Sequence, residues 1–205
     1  MIIDLLKKED LELTKIVKVN KGEIIFHEND ECFSIGIVYK GTLTISSITF
    51  EGNEIIYNTL YPGDIFGNNL LFSKDKRYKG NVSAVTDSVI YLIDKNSLLK
   101  ILKTNEDFLI KYLEIHSEFS KSLNSKIKLL SFNNAKERFL YYLFINDNEI
   151  TIKNISSLAK SLFLSREVTS RLINQMLRNK EIKTQYRCHP ETIIVKLFLI
   201  FSSLL

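Results

Sequence analysis

The chain of 205 residues holds only two cysteines and three histidines, and neither type clusters. Cys32 and Cys188 stand far apart and form no C-x-x-C pair, so the sequence offers no disulfide or thiolate–metal framework. His27, His116 and His189 show no H-x-H or H-x-x-x-H spacing, and no metal site is expected. Long apolar runs are also missing. None approaches the roughly 18 apolar residues a bilayer-crossing helix needs, and the nearest, Leu197 to Leu205, is short and carries two serines. The N-terminus lacks the basic-then-apolar order of a secretory leader, because Asp4 interrupts Ile2 to Leu6 and Lys7, Lys8 and Glu9 follow. These absences make a cytoplasmic location without a membrane partner the expectation.

What remains has the balance of an ordinary globular protein, 45% hydrophobic and 25% charged. Its length suits one large domain or two small ones. The net charge of +4 is unevenly placed. Residues 132–205 carry 11 Lys or Arg against 6 Asp or Glu, leaving residues 1–131 at −1. A basic C-terminal part favours a phosphate-bearing partner.

The first half reads as short β-like runs separated by turn residues. The runs are Ile16–Val19, Glu23–His27, Ser34–Tyr39, Thr42–Ile48, Glu54–Leu60, Asn81–Val85 and Ser88–Ile93. Gly22, Gly41, Gly52 and Gly63 fall at the turns. This spacing predicts an antiparallel sandwich or barrel over residues 1–103. Its expected core is Ile24, Phe26, Ile35, Ile37, Leu43, Ile45, Ile56, Leu60, Val82, Val89 and Leu92.

A short helix is predicted over Asp94–Leu102 and a long one over Glu106–Leu130, within a segment bounded at 104–131. In the long helix Tyr112, His116, Phe119, Leu123, Ile127 and Leu130 recur every three or four residues, the pattern of a coiled-coil seam. A helix of roughly 25 residues extends about 38 Å, more than a small domain needs for its own core. The seam therefore points to a homodimer, and a helix lying on the β-domain is the plainer alternative. Phe132-Asn133-Asn134-Ala135 reads as a hinge, and Lys136–Ile145 as the first helix of a domain over 132–205.

The most informative stretch is Leu158 to Leu177, LAKSLFLSREVTSRLINQML. Ile155, Leu158, Ala159 and Leu162 give one helix a compact apolar face, and about three residues separate it from a second helix capped by Ser165. On that second helix Arg166, Glu167, Ser170 and Arg171 share an outward arc of roughly 140°, while Thr169, Leu172, Ile173 and Met176 face inward. Donors and acceptors at the start of an outward helix are what meets base edges in a major groove. A solvated amphipathic face would show the same charges. The strands expected at Ile182–Tyr186 and Thr192–Val195, around Arg187-Cys188-His189-Pro190-Glu191, would complete a winged helix. Phe163 stands where such turns often have Gly, and a positive φ would cost it roughly 1 kcal/mol. A non-standard turn is the expectation there.

In this order the chain resembles the Crp/Fnr family of bacterial transcription regulators over nearly its whole length. The markers are Lys21-Gly22-Glu23, Lys40-Gly41, Pro62-Gly63-Asp64-Ile65-Phe66-Gly67, and Leu164-Ser165-Arg166-Glu167 with Ser170-Arg171. The resemblance implies an α+β protein: an antiparallel β-roll sensor, a dimerisation helix and a C-terminal winged helix-turn-helix. It implies that Ser165, Arg166, Glu167, Ser170 and Arg171 form the DNA-contacting group. Glu167, Ser170 and Arg171 match the Fnr branch, while Arg166-Glu167 with Arg171 matches the Crp branch. Both branches imply a palindromic operator of TTGA-like or TGTGA-like halves. Double-stranded DNA is the implied partner, with RNA polymerase a second one if the protein activates.

The sensor departs from the family's cyclic-nucleotide pattern. Asn68 follows Phe66-Gly67 where a ribose-binding Glu is expected, and Lys79-Gly80 stands where an Arg-Ser pair would hold the cyclic phosphate. An amide supplies no carboxylate, and Lys lacks the planar fork for bidentate phosphate binding. Leu123-Asn124 replaces the hydroxyl pair that would contact adenine. Cyclic AMP is therefore disfavoured. A four-cysteine iron–sulfur cluster and haem are disfavoured for want of ligands, and no cofactor is expected. A small, anionic effector near Asn68, Asn69, Arg77, Lys79 and Asn124 remains, or no effector. Lys74, Lys76, Arg77 and Lys79 read equally well as a solvated loop. The alternative class is a nucleotide-sensing subunit acting on a partner protein. A cupin-like metalloenzyme would need clustered histidines, which His27-Glu28 does not supply. The expectation is a regulator, not an enzyme. The role of the apolar tail Lys196–Leu205 stays open.

Overall fold

The computed structural model describes residues 1–152, 154–186 and 193–197. The chain divides into two compact units, Met1–His116 and Ser117–Leu205, with the division inside the long helix.

The first unit begins with a turn of 3₁₀ helix at Ile2–Leu5 and a short helix α1 (Lys8–Leu11). Strands β1 (Lys15–Val19), β2 (Ile24–Phe26), β3 (Ser34–Lys40), β4 (Leu43–Ile48), β5 (Glu54–Leu60) and β6 (Ile65–Phe66) follow. Helix α2 (Asn68–Leu71) precedes β7 (Asn81–Ala84) and β8 (Ser88–Asp94). Two four-stranded sheets result, ordered β1-β8-β3-β6 and β2-β7-β4-β5, with antiparallel pairing throughout. This is the expected β-roll, and the seven anticipated strands are present with ends shifted by at most one residue.

Strand β3 occupies the middle of its sheet, and Ile35, Ile37 and Val38 are all buried. Gly36 pairs with Phe66 across β3 and β6. A Cβ on Gly36 would lie 2.1 Å from the tip of the Phe66 ring, so the missing side chain is the space that the ring fills. Phe66 in turn lies near Phe26, which stacks on Tyr78 at 4.9 Å between centroids. Expectations for the core err where the strands depart from strict alternation. Ile24 and Ile56 are exposed, and Ile90 and Ile93, rather than Val89 and Leu92, are fully buried. Register shifts lie at Ile24/Phe26, Ile45/Ser46 and Val38/Lys40, and such a shift changes which side chains face inward.

Asp94 caps α3 (Lys95–Thr104), accepting from the backbone amides of Asn96 and Ser97. Asn105 then starts α4 (Glu106–Ser131). Its side-chain oxygen accepts from the Phe108 amide, and its NH₂ donates to the Leu5 carbonyl and Asp10 carboxylate at 2.8 and 2.7 Å. The first residues of the chain are thereby tied to the start of the long helix, with Ile2, Ile3 and Leu6 buried in the core.

The seam residues of α4 have two environments. Tyr112 is buried, stacked beside Phe108 within its own unit, and His116 is half-buried against Tyr112. Phe119, Leu123, Ile127 and Leu130 are 40%, 41%, 65% and 48% exposed. Period alone identifies an apolar face and cannot say which neighbour covers it.

The second unit continues with α5 (Ala135–Phe144), β9 (Glu149–Ile152), α6 (Ile155–Leu162), α7 (Arg166–Arg178), β10 (Ile182–Tyr186) and β11 (Ile193–Leu197). Phe139, Leu143, Leu158, Leu162, Ile173, Met176, Ile182 and Val195 form its core. The three strands make one antiparallel sheet in the order β10-β11-β9. Strand β9 went unanticipated; it is only four residues long and follows Asp147 and Asn148, both left-handed without being glycine. The expected wing turn Arg187–Glu191, Thr192, and Phe198 onward in the apolar tail lie outside the described residues.

Gly36→Ala is expected to destabilise the protein by about 1–3 kcal/mol through overpacking against Phe66. Combining it with Phe66→Leu should recover part of that loss. Urea denaturation midpoints of the single and double variants check both statements.

Candidate nucleic-acid interface

The site is built on the junction of α6 and α7. Asn154 caps α6 by accepting from the Ser157 amide at 2.8 Å, and Leu158, Ala159 and Leu162 bury its inner face. The helix ends at Phe163, whose φ of 53° and ψ of 44° are left-handed. The expected departure from a standard turn is absent: Phe163 adopts the conformation that Gly favours. Leu164 N–H donates to the Ala159 carbonyl at 3.0 Å, and Phe163 N–H to the Lys160 carbonyl at 3.2 Å. These bonds satisfy carbonyls that a helix end leaves open.

Ser165 then begins α7. Its hydroxyl accepts from the Val168 amide at 3.2 Å, while the Thr169 hydroxyl donates to the Ser165 carbonyl at 2.9 Å. Thr169, Leu172, Ile173 and Met176 are buried, which fixes the rotation of the helix about its axis. Arg166, Glu167 and Arg171 are consequently exposed with Ser165, and Ser170 is half-buried beside them. The five sequence-derived residues thus lie on the cap and the outward face of α7's first turns. Hydrogen bonds from its own backbone amide and the Ser165 hydroxyl hold the Glu167 carboxyl below its ordinary range, with Arg166 and Arg171 adding to the effect. Glu167 is therefore an acceptor, flanked by two donors.

Beyond α7, Lys180 is left-handed at φ 57°, and Glu181 N–H donates back to the Met176 carbonyl at 2.9 Å. Lys136 on α5 pairs with Glu181 at 2.7 Å, tying α5 to the segment that follows α7. Arg138, also on α5, was not anticipated as part of this site. Its Nη1 donates to the carbonyls of Leu162 and Phe163 at 3.3 and 3.2 Å, and its Nη2 to the Phe132 carbonyl at 2.9 Å. No pattern in the sequence marks it, since Arg138 shares its turn with Lys136 and Glu137 ahead of the apolar run Phe139-Leu140-Tyr141-Tyr142-Leu143-Phe144.

Three of the five candidate effector residues find a local partner. Asn68 Nδ2 lies 3.2 Å from His116 Nε2, and burial holds the His116 imidazole below its usual pKa. Arg77 donates to the Asn29 carbonyl at 2.9 Å, and Lys79 pairs with Asp75. Asn69 is exposed on α2, and Asn124 is exposed on α4. Gly80 packs closely, since a Cβ there would lie 2.7 Å from the Ser46 carbonyl oxygen. Among the described residues no group of three or more His, Cys, Asp and Glu side chains is placed to hold a metal. Nor, among them, is any helix long and apolar enough to cross a membrane.

Comparison with known proteins places these features in a family context. Residues 16–105 match the family model described as a cyclic nucleotide-binding domain. The anaerobic regulatory protein of Bacillus subtilis is 24% identical over 168 residues, covering 80% of this chain and 71% of that protein. The HTH-type transcriptional regulator ArcR of Staphylococcus epidermidis is 28% identical over 180 residues, covering 78% and 75%. A structure of a CooA variant from Carboxydothermus hydrogenoformans superposes with a TM-score of 0.67 at 19% identity, covering 93% of this chain and 88% of that one.

The left-handed turn makes two opposed expectations. Phe163→Gly should leave stability unchanged or slightly raised, because the strain it relieves offsets the added chain entropy. Phe163→Val should cost more than about 1 kcal/mol, since a β-branched residue tolerates positive φ poorly. Thermal unfolding of both variants distinguishes them.

Proposed function

Because this chain belongs to the Crp/Fnr family of transcription regulators, we propose that it acts as a homodimer on a palindromic DNA operator. The observation that carries this reading is the exposed face of the first two turns of α7. Arg166, Glu167 and Arg171 point outward there from a helix whose other face is buried. Arg can donate in a bidentate fashion to guanine O6 and N7, and an ionised Glu accepts from cytosine N4. Glu167 remains ionised through the neutral range, since its carboxyl sits below the ordinary value. The basic excess of residues 132–205 supplies attraction to the phosphate backbone.

The proposed dimer contact is the exposed part of the α4 face: Phe119, Leu123, Ile127 and Leu130. These side chains recur at helical spacing, and pairing with a second copy would remove them from water. Tyr112 stands outside this contact, because it is buried in the core of the first unit with the His116 ring against it. A two-fold protein reads a two-fold site, so the operator halves are TTGA-like or TGTGA-like and lie about one helical turn apart.

The effector is proposed to be a small molecule other than cyclic AMP, or there is none. Asn68 and Lys79 do not supply the carboxylate and guanidinium such a pocket would use. The protein is proposed to work in the cytoplasm, and RNA polymerase is its further partner if it activates.

Selection of bound sequences from random double-stranded DNA tests the reading. The wild-type protein should enrich inverted repeats with a GA step in each half. Glu167→Ala should lose about 1–3 kcal/mol on the preferred site and relax preference at one base pair per half. An unchanged base preference in that variant would remove Glu167 from the reading group. A Leu123→Glu, Ile127→Glu double variant should sediment as a monomer where the wild type sediments as a dimer.

A further inference from the structure

Helix carbonyls at a C-terminus lack intrahelical partners, and the aligned peptide dipoles make that end favourable for a cation. In the second unit two such ends converge on one guanidinium. The Leu162 and Phe163 carbonyls close α6, and the Phe132 carbonyl lies one residue beyond the end of α4. Arg138 meets all three, with Nη1 shared between the first two and Nη2 on the third. Its Nε is buried without a hydrogen-bond partner, so the group is held for the fork and not for complete satisfaction.

The surroundings fix the end of α4 on the same side of α5. The Phe132 ring packs on Tyr141 at 5.1 Å, and Lys128 Nζ lies 5.0 Å from the centre of that Tyr141 ring. Phe163, one of the acceptors, is the left-handed residue immediately before the junction that leads to the Ser165 cap. One side chain therefore joins the exit of the long helix to the turn that aims the reading helix.

We propose that Arg138 is a positioning residue that sets the first turn of α7 relative to the end of α4. It touches neither the exposed reading face nor the bases. A displacement of Phe132 must break its bond to Nη2 or carry the Leu162–Phe163 carbonyls with it. The planar guanidinium suits this task because its donors have fixed relative directions, whereas a Lys ammonium is a single flexible point.

This role rests on the proposed DNA-reading function, and the test separates the two. Full-length wild type, Arg138→Lys and Arg138→Met are compared first without DNA, by hydrogen–deuterium exchange at backbone amides. Arg138→Met should accelerate exchange at residues 163–168 by about tenfold or more, with Arg138→Lys between it and wild type. Strand β9 should be unaffected. Unchanged exchange at residues 163–168 overturns the proposal.

The second readout is affinity for the operator that the wild type selects. Arg138→Met should weaken binding by about tenfold on that operator and on all its single-base variants alike, with the salt slope unchanged. Arg138→Lys should recover only part of the loss. Full recovery by Lys would assign the effect to charge alone, and a salt slope reduced by about one would assign it to a phosphate contact. Either result overturns the positioning role. A wild type that selects no sequence overturns the DNA-reading proposal, and the exchange result alone then upholds or overturns the positioning role.

Discussion

The second unit depends on one backbone conformation, the left-handed residue between α6 and α7. At Phe163 this costs roughly 1 kcal/mol that a glycine would not incur. The surrounding structure offsets it: Leu162 is fully buried just before the turn, and Leu164 N–H returns to the Ala159 carbonyl. If the turn relaxed, Ser165 would lose its place as cap. Thr169, Leu172, Ile173 and Met176 could not all remain buried, and the outward direction of Arg166, Glu167 and Arg171 would be lost. The charge pattern on α7 has meaning only because the apolar pattern on its other side is satisfied.

A similar dependence governs the long helix. Its apolar stripe is continuous in sequence, but its burial is not. Phe108 and Tyr112 belong to the core of the first unit, where Asn105 fixes the helix start to the N-terminal segment. From Phe119 onward the same stripe faces water. One pattern thus serves a core at one end and offers a surface at the other. The offered surface is the part on which the proposed homodimer rests.

These divisions explain what could be read from the sequence. The β-roll was legible because short alternating strands and glycine turns recur, and Gly22, Gly41, Gly52 and Gly63 do occupy positive φ. Core membership was less legible, because a bulge such as that between Val38 and Lys40 changes the facing of later residues without a mark in composition. In the second unit the usual turn marker is absent, since all seven glycines lie within the first 80 residues. Asp147, Asn148, Phe163 and Lys180 take the left-handed positions instead. Strand β9 was missed for that reason. The outward face of α7 was legible because helical period separates its two faces cleanly. Arg138 was not, because its acceptors are main-chain carbonyls from residues 6, 24 and 25 positions away, which no side-chain pattern records. The effector group was proposed from residue types, and the structure shows Asn68, Arg77 and Lys79 each engaged locally.

The central claim is that two copies of α7 read one two-fold DNA site. Hydroxyl-radical footprinting of the intact protein on its own selected operator tests it most directly. Two equivalent protected segments are expected on one face of the duplex, about one helical turn apart and related by the operator's two-fold axis. A single protected segment, or two that lack that symmetry, would contradict it.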